Sequence, residues 1–244
     1  MKCIAFARRN FAELLRDPLT LFFGAGFPLV LLGLLTLIQR NIPVNLFAIE
    51  SLAPGVAVFG QSFLTLFSAL LIAKDRSTAL TQRLMASPLT GLDFILGYTL
   101  PLLPLAVLQS LLCLLCAALL GLNLSHLPLT VAVLLLSALM YIALGLLFGS
   151  ILSDNQVGGV CGALLTNLSA WLSGVWFDVK LVGGFFYKIA NALPFIHAVE
   201  AARAAAAGNA AALPALLAVV CAYAAALLAL AIFFFTRTMR GGKR

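Results

Sequence analysis

Charge is what this sequence lacks most. Only 9% of its 244 residues are charged, 63% are hydrophobic, and the mean hydropathy is +1.12. A soluble domain carries about 25% charged residues, so a soluble enzyme is excluded. Disordered chains have low hydrophobicity, and disorder is therefore excluded as well. The class of protein that remains is a polytopic membrane protein.

Charge is missing above all from the long apolar runs. All eight acidic residues fall outside these runs or at their ends, and no Lys or Arg lies in the middle of one. Proton- and ion-coupled pumps usually keep such charges inside the membrane as relays. The sequence also has neither a G-x-x-x-x-G-K-[ST] phosphate loop nor a G-x-S-x-G motif. We therefore predict no catalytic, cofactor or metal site in this chain.

The cysteines do not indicate a redox or metal site. Cys113 and Cys116 have the C-x-x-C spacing of a redox or zinc pair, but leucines flank both of them. A thiol buried among leucines behaves as a small apolar side chain. We interpret the pair as packing residues.

The apolar runs predict an all-α membrane fold with six transmembrane helices. Each run is long enough to cross a hydrocarbon core, which needs about 20 apolar residues. Within one transmembrane domain over residues 1–244, the spans are predicted near 19–38, 53–73, 95–120, 127–151, 157–177 and 213–235. Residues 4–16 place Ile4, Ala7, Phe11, Leu14 and Leu15 on one helical face. That pattern predicts a helix lying in the membrane surface before the first span.

The basic residues predict the orientation. With six spans, both termini and the second and fourth loops share one face, which carries eleven of the fifteen Lys and Arg residues. Because cytoplasmic loops carry the excess of basic residues, both termini are expected in the cytoplasm. We expect the chain in a bacterial plasma (inner) membrane, in contact with its lipids. We attribute the net positive charge to cytoplasmic loops and anionic lipid, and we expect no nucleic-acid partner.

Mildly polar residues inside the spans leave two interpretations open. One is a path that tolerates an amphipathic molecule, and the other is hydrogen bonding between helices, worth about 0.6–2 kcal/mol each. The residues chosen as candidate path lining are Gln61, Thr65, Gln109 and Asn167. Two further motifs, Gly145-x-x-x-Gly149 and Gly158-x-x-x-Gly162, predict close helix packing.

The loop between the second and third spans has the features of a docking element. Residues 74–88 predict about three helical turns, and Arg76 and Arg83 lie seven residues apart on one face. Ser87-Pro88 ends this helix, because the residue before proline disfavours the α conformation. A short basic helix of this kind suits docking on another protein. A solvated positive loop would show the same pattern.

A family resemblance rests on this loop and on the last outer segment. Arg83-Leu-Met-Ala-Ser-Pro88, followed by Asp93-Phe-Ile-Leu-Gly-Tyr-Thr-Leu-Pro101, resembles the signature of type-2 ABC exporter permeases. The segment from Trp176 to Gly208 is similar to that family's last extracellular segment, and spans and loop lengths match over essentially the whole chain. The sequence departs from the family around Ala79–Thr81, where Gly-Thr is often found.

The resemblance implies the membrane subunit of an ABC exporter. It would work with a separate ABC ATPase subunit, which uses ATP and Mg, and with a second permease subunit as a homodimer or heterodimer. Residues 74–88 would be the coupling helix, beside an N-terminal connecting helix, and the implied coupling residues are Arg76, Gln82, Arg83 and Pro88.

The resemblance also implies an exit gate in the outer leaflet. Residues 178–208 would form short re-entrant helices there, with the candidate gate residues Phe185, Phe186, Pro194, His197 and Glu200. The spacing of His197, Glu200 and Arg203 independently predicts a charged ladder on one helical face.

Two other classes of function stay open at this point. A secondary carrier or channel would work without an ATPase, but it would be expected to carry charges inside the membrane. A membrane-embedded lipid transferase would need a polar cluster at one interface, for which Asp178, His197 and Glu200 are the candidates. The cargo is not fixed by the sequence, because drug, peptide, lipid and polysaccharide exporters share one architecture.

Overall fold

The chain is helical throughout the part that the structure describes. The structure is a computed structural model, which describes the backbone of residues 2–78 and 91–241 and the side chains of residues 4–78 and 91–237. These residues contain no β-strand, so the predicted all-α fold class is confirmed. In chain order the helices are α1 (Lys2–Arg16), α2 (Pro18–Asn41), α3 (Ile49–Gln61), α4 (Phe63–Arg76), α5 (Gly91–Thr99), α6 (Leu102–Leu119), α7 (Leu127–Ile151), α8 (residues 154–172), α9 (Val179–Val182), α10 (Gly184–Ala192), α11 (Pro194–Ala206) and α12 (Leu213–Gly241).

Five helical stretches among the described residues are long and apolar enough to cross a membrane. They are α2, α3 with α4, α5 with α6, α7, and Ala210–Arg237. These stretches correspond to five of the six predicted spans, and α7 has the bounds that the sequence predicts. The count of six spans is not confirmed by them.

The remaining predicted span, 157–177, corresponds to α8 and differs from the prediction. This helix winds as a π-helix over Gly158–Leu165 and ends at Leu172. Two residues later Gly174 has a φ of +73°. That left-handed conformation, which glycine adopts without a steric cost, turns the chain out of the helix earlier than its apolar composition predicts.

The stretch formed by α3 and α4 is the centre of the bundle. In its most apolar part 89% of the residues are buried, against 17% for α2 and 11% for the last stretch. Helix α4 packs along α7, α7 packs along α12, and α3 packs against α6 and α11. Helices α2 and α12 leave most of their apolar side chains at least partly exposed, which suits a face in contact with lipid.

Glycines bring α4 and α7 into backbone contact. A Cβ atom on Gly145 would clash with Ser68 Oγ and with the backbone oxygen of Thr65, and one on Gly149 would lie 2.6 Å from the backbone oxygen of Ala69. The predicted packing role of the first glycine motif is therefore confirmed. In the second motif, a Cβ on Gly158 would meet no described atom within 4 Å, so no close contact forms at that position within the described chain.

We predict that Gly145→Ala destabilises the bundle by about 2 kcal/mol or more, because the added methyl group must push α4 away from α7. Unfolding in detergent micelles measures the change. Gly33→Ala is the matched control, since its Cβ would meet nothing within 4 Å and alanine favours a helix over glycine by about 1 kcal/mol. Equal stabilities for the two variants would contradict the described contact.

Candidate functional site

Helix α1 is held against α5, the helix that begins directly after residues 79–90. The ring of Phe6 lies 5.9 Å from the ring of Phe94 and 5.0 Å from that of Tyr98, both edge to face. A Cβ on Gly97 would clash with the Phe6 ring. Asn10 is fully buried and donates from Nδ2 to the backbone oxygen of Gly97 at 3.0 Å. Aromatic packing and a buried hydrogen bond therefore fix α1 on α5.

Only part of the predicted apolar face of α1 is buried within the protein. Phe6, Ala7 and Leu14 are buried, whereas Ile4 is 68% exposed and Leu15 is 50% exposed. The difference arises because α5 covers the side of the helix that carries Phe6 and Asn10, which the apolar periodicity does not include. The exposed apolar side chains fit a helix at the membrane surface, and that location stays a prediction.

A charged cluster joins α1 to the end of α4. Arg9 contacts the Asp75 carboxylate through two hydrogen bonds, Nη1 to Oδ2 at 2.7 Å and Nη2 to Oδ1 at 2.8 Å. The hydroxyl of Tyr98 donates to Asp75 Oδ2 at 3.0 Å. Asp75 is 3% exposed, and a carboxylate so far from water needs such partners to stay charged.

Glu13 adds two further ion pairs beside this contact. Glu13 accepts from Arg9 Nη2 at 3.0 Å and from Lys74 Nζ at 2.7 Å. The hydrogen bond to Asp75 is the main reason that the pKa of Arg9 is raised above its ordinary value, although burial opposes it. We call Arg9, Glu13, Lys74, Asp75 and Tyr98 the loop junction. It ties α1 to the helices on both sides of the loop.

Arg76, one of the predicted coupling residues, points away from the loop junction. Its Nη1 donates to the backbone oxygen of Gly149 at 2.8 Å and to that of Leu152 at 3.2 Å. These carbonyls belong to the C-terminal end of α7, where a helix has unpaired oxygens and a partial negative charge. Arg76 therefore links the end of α4 to the end of α7. Gln82, Arg83 and Pro88, the other predicted coupling residues, lie outside the described residues.

Three of the four candidate path residues lie between helices of this chain. Gln61 Nε2 donates to Ser110 Oγ at 3.1 Å, and Gln109 Nε2 donates to the backbone oxygen of Ala57 at 3.0 Å. Thr65 Oγ1 donates to the backbone oxygen of Tyr141, also at 3.0 Å. These residues are buried, and each bonds to a neighbouring helix of the same chain.

The fourth candidate path residue has a different position. Asn167 is exposed on α8, and its Nδ2 donates to the backbone oxygen of Ala163 at 2.8 Å. The four residues are therefore not brought together on one exposed surface of the described chain. Their role in a path stays a prediction.

The candidate gate residues are spread over α10 and α11. Phe185 is 79% exposed, whereas the ring of Phe186 lies 6.2 Å from that of Phe177. Pro194 is buried at the first position of α11, where proline costs no hydrogen bond. A gate role for these residues stays a prediction.

The residues of the predicted charged ladder on α11 make their hydrogen bonds and an ion pair with other segments. His197 Nε2 is hydrogen-bonded to the backbone oxygen of Asn191 at 2.9 Å, and Glu200 lies 4.0 Å from Lys180 Nζ. Arg203 donates to the backbone oxygens of Ser51 and Gly174 at 3.0 Å each. Spacing along one helix does not reveal these partners, because they come from segments distant in sequence or beyond the helix end.

Arg203 lies at a cavity of about 470 Å³ that Glu200 and Lys180 also line. Burial lowers the pKa of Arg203 from its ordinary value, while the nearby carboxylates of Glu200 and Asp178 oppose this change. The two backbone contacts of Arg203 join α11 to the beginning of α3 and to the turn after α8. The side chain therefore fixes α11 on the bundle.

One feature of the sequence points to the loop junction, although hydrophobic periodicity alone does not reveal it. Asp75 stands between Lys74 and Arg76 at the end of an apolar run, where a carboxylate near the membrane requires a cation. Arg9 is a cation on the polar side of α1, so the pairing was a possible inference. Tyr98 had no such signal, because its role depends on the folded position of α5.

We predict that Asp75→Asn lowers the unfolding free energy by about 1–3 kcal/mol, because Arg9 and Tyr98 keep their geometry but lose the buried negative charge. Glu13→Gln is the matched control, and we expect it to cost under about 1 kcal/mol because its pairs are more exposed. Unfolding in detergent measures both. A larger loss for Glu13→Gln would show that the buried pair is not the main contact.

Comparison with known proteins identifies the family. A sequence model described as ABC-2 type transporter matches residues 1–207. The match begins before the loop junction and extends beyond the end of α11, and no individually curated protein matches the chain. Members of this family are membrane components of transporters and are not themselves catalytic. With apolar helices that can cross a membrane and a match over most of its length, this chain belongs to the ABC-2 type transporter family.

Proposed function

We propose that this chain is the permease subunit of an ATP-driven exporter and that a separate ABC ATPase docks on residues 74–88. The observation that carries the proposal is the loop junction. It fixes both helices from which the loop extends, and a loop that receives force from another protein needs firm attachment at both ends. Family membership supports the kind of partner.

The proposed mechanism needs no chemistry in this chain. Two permease subunits, identical or different, would enclose a path, and each would bind one ATPase through its loop. Binding of ATP and Mg by the ATPases would bring them together and displace the loops. The helices would then reorient as rigid bodies, and an amphipathic cargo would leave on the outer side.

The proposed topology has six spans, with α8 as the fifth, and both termini in the cytoplasm of a bacterial inner membrane. Helix α8 is 19 residues long, which is close to the length that crosses a thin or locally thinned bilayer. The positive charge near the loop supports a cytoplasmic position for it. A secondary carrier is the alternative, and the absence of charged residues from the span interiors counts against it.

We predict that an ABC ATPase co-purifies with the chain from its native membrane and that Arg83→Glu reduces its recovery about tenfold, because the reversed charge opposes docking. Affinity purification followed by mass spectrometry measures the ratio of ATPase to permease. Arg40→Glu is the matched control, since it reverses the same charge in the predicted outer loop.

Two results would contradict this proposal. If no ABC ATPase accompanied the wild-type chain, the partner would be wrong. If Arg40→Glu removed the ATPase and Arg83→Glu did not, the docking surface and the orientation would both be wrong.

A further inference from the structure

The end of α4 places two adjacent charged residues on opposite sides. Asp75 binds α1 and α5 through Arg9 and Tyr98, whereas Arg76 binds the end of α7. The first contact is part of the loop junction. Among the described residues, the second contact joins the end of α4, where the loop begins, to the end of α7.

Helix α7 is well suited to receive a displacement from α4. The two helices are in close contact at Gly145 and Gly149, and the hydroxyl oxygen of Ser68 lies 3.2 Å from the backbone oxygen of Ile142. Closely packed helices do not slide past each other without a large steric cost. A shift at the end of α4 is therefore passed to α7.

The chain changes direction directly after the Arg76 contact. Leu152, which accepts one of the two hydrogen bonds, follows the last residue of α7, and α8 begins two residues later. Helix α8 continues into the π-helical segment Gly158–Leu165, and π-helical turns occur frequently at functional sites. Arg76 therefore holds the turn that sets the position of α8 relative to α4.

We propose that Arg76 is a positioning residue that transmits movement of the loop to α7 and to the turn before α8, and that it is not a contact to the ATPase. The proposal rests on the proposed function, and it replaces the docking role that the family resemblance implies for this residue. Two backbone carbonyls already bind the guanidinium, which is also partly buried. An exposed docking residue would instead have its charge free for a partner.

The test separates binding from coupling. The permease is purified with its co-purifying ABC ATPase in lipid nanodiscs, and two quantities are measured with Mg-ATP as the probe: the Kd between the subunits and the ATP turnover of the complex relative to the ATPase alone. For Arg76→Gln we expect a Kd within about twofold of wild type and a loss of about tenfold in the permease-dependent change in turnover. Arg76→Lys should restore at least half of that change, because a lysine can still donate to the two carbonyls.

Arg8→Gln is the matched control, since Arg8 is exposed on α1, and it should leave both quantities unchanged. Unfolding in detergent checks that Arg76→Gln is folded. If this variant does not fold, the measurements on Arg76→Lys decide the test. Loss of ATPase binding by Arg76→Gln and Arg76→Lys, with binding intact in wild type, would overturn the positioning role and leave the proposed function standing. Unchanged turnover in Arg76→Gln would also overturn it. If the wild-type chain bound no ABC ATPase, the proposed function itself would fail.

Discussion

The carboxylate of Asp75 is the constraint on which the loop and its surroundings depend. A negative charge with 3% exposure is stable only while cations and donors replace its lost water. Arg9 and Tyr98 supply these groups from two different helices. Satisfying one buried charge therefore fixes α1, α4 and α5 relative to one another. The adjacent Arg76 extends the arrangement to α7 by pairing with the free carbonyls at its end.

In the proposed function, the few charged residues that join helices beside the loop have a mechanical role. The interiors of the predicted spans have no charged residue, whereas proton- and ion-coupled transporters usually keep such residues there as relays. The buried ionic contacts between helices at this end of the bundle instead surround the place where the loop begins and ends. A membrane subunit that is moved from outside needs rigid contacts at the point of attachment.

Sequence patterns predicted the helices well and the contacts between them poorly. The helix of residues 127–151 was predicted with its bounds, because a long apolar run between His126 and Leu152 has one physical interpretation. The Gly145 seam was also predicted, since small residues four apart allow close approach. The end of α8 was misplaced, because the apolar composition continues past Gly174 although its backbone leaves the helix. The partners of Arg203 and Arg76 are backbone carbonyls on other segments, which no side-chain pattern can reveal.

We propose that an ATPase acts on this chain through the loop between α4 and α5, and Lys74 lies in the last turn of α4. The chain has five lysines, of which Lys2, Lys74 and Lys243 lie on the predicted cytoplasmic side and Lys180 and Lys188 on the outer side. Cross-linking of amines in native membranes, followed by mass spectrometry, tests the claim most directly, because Lys74 is well exposed. We expect cross-links from Lys74 to an ABC ATPase and none from Lys180 or Lys188. Cross-links from the outer pair to the ATPase, without any from Lys74, would contradict the claim.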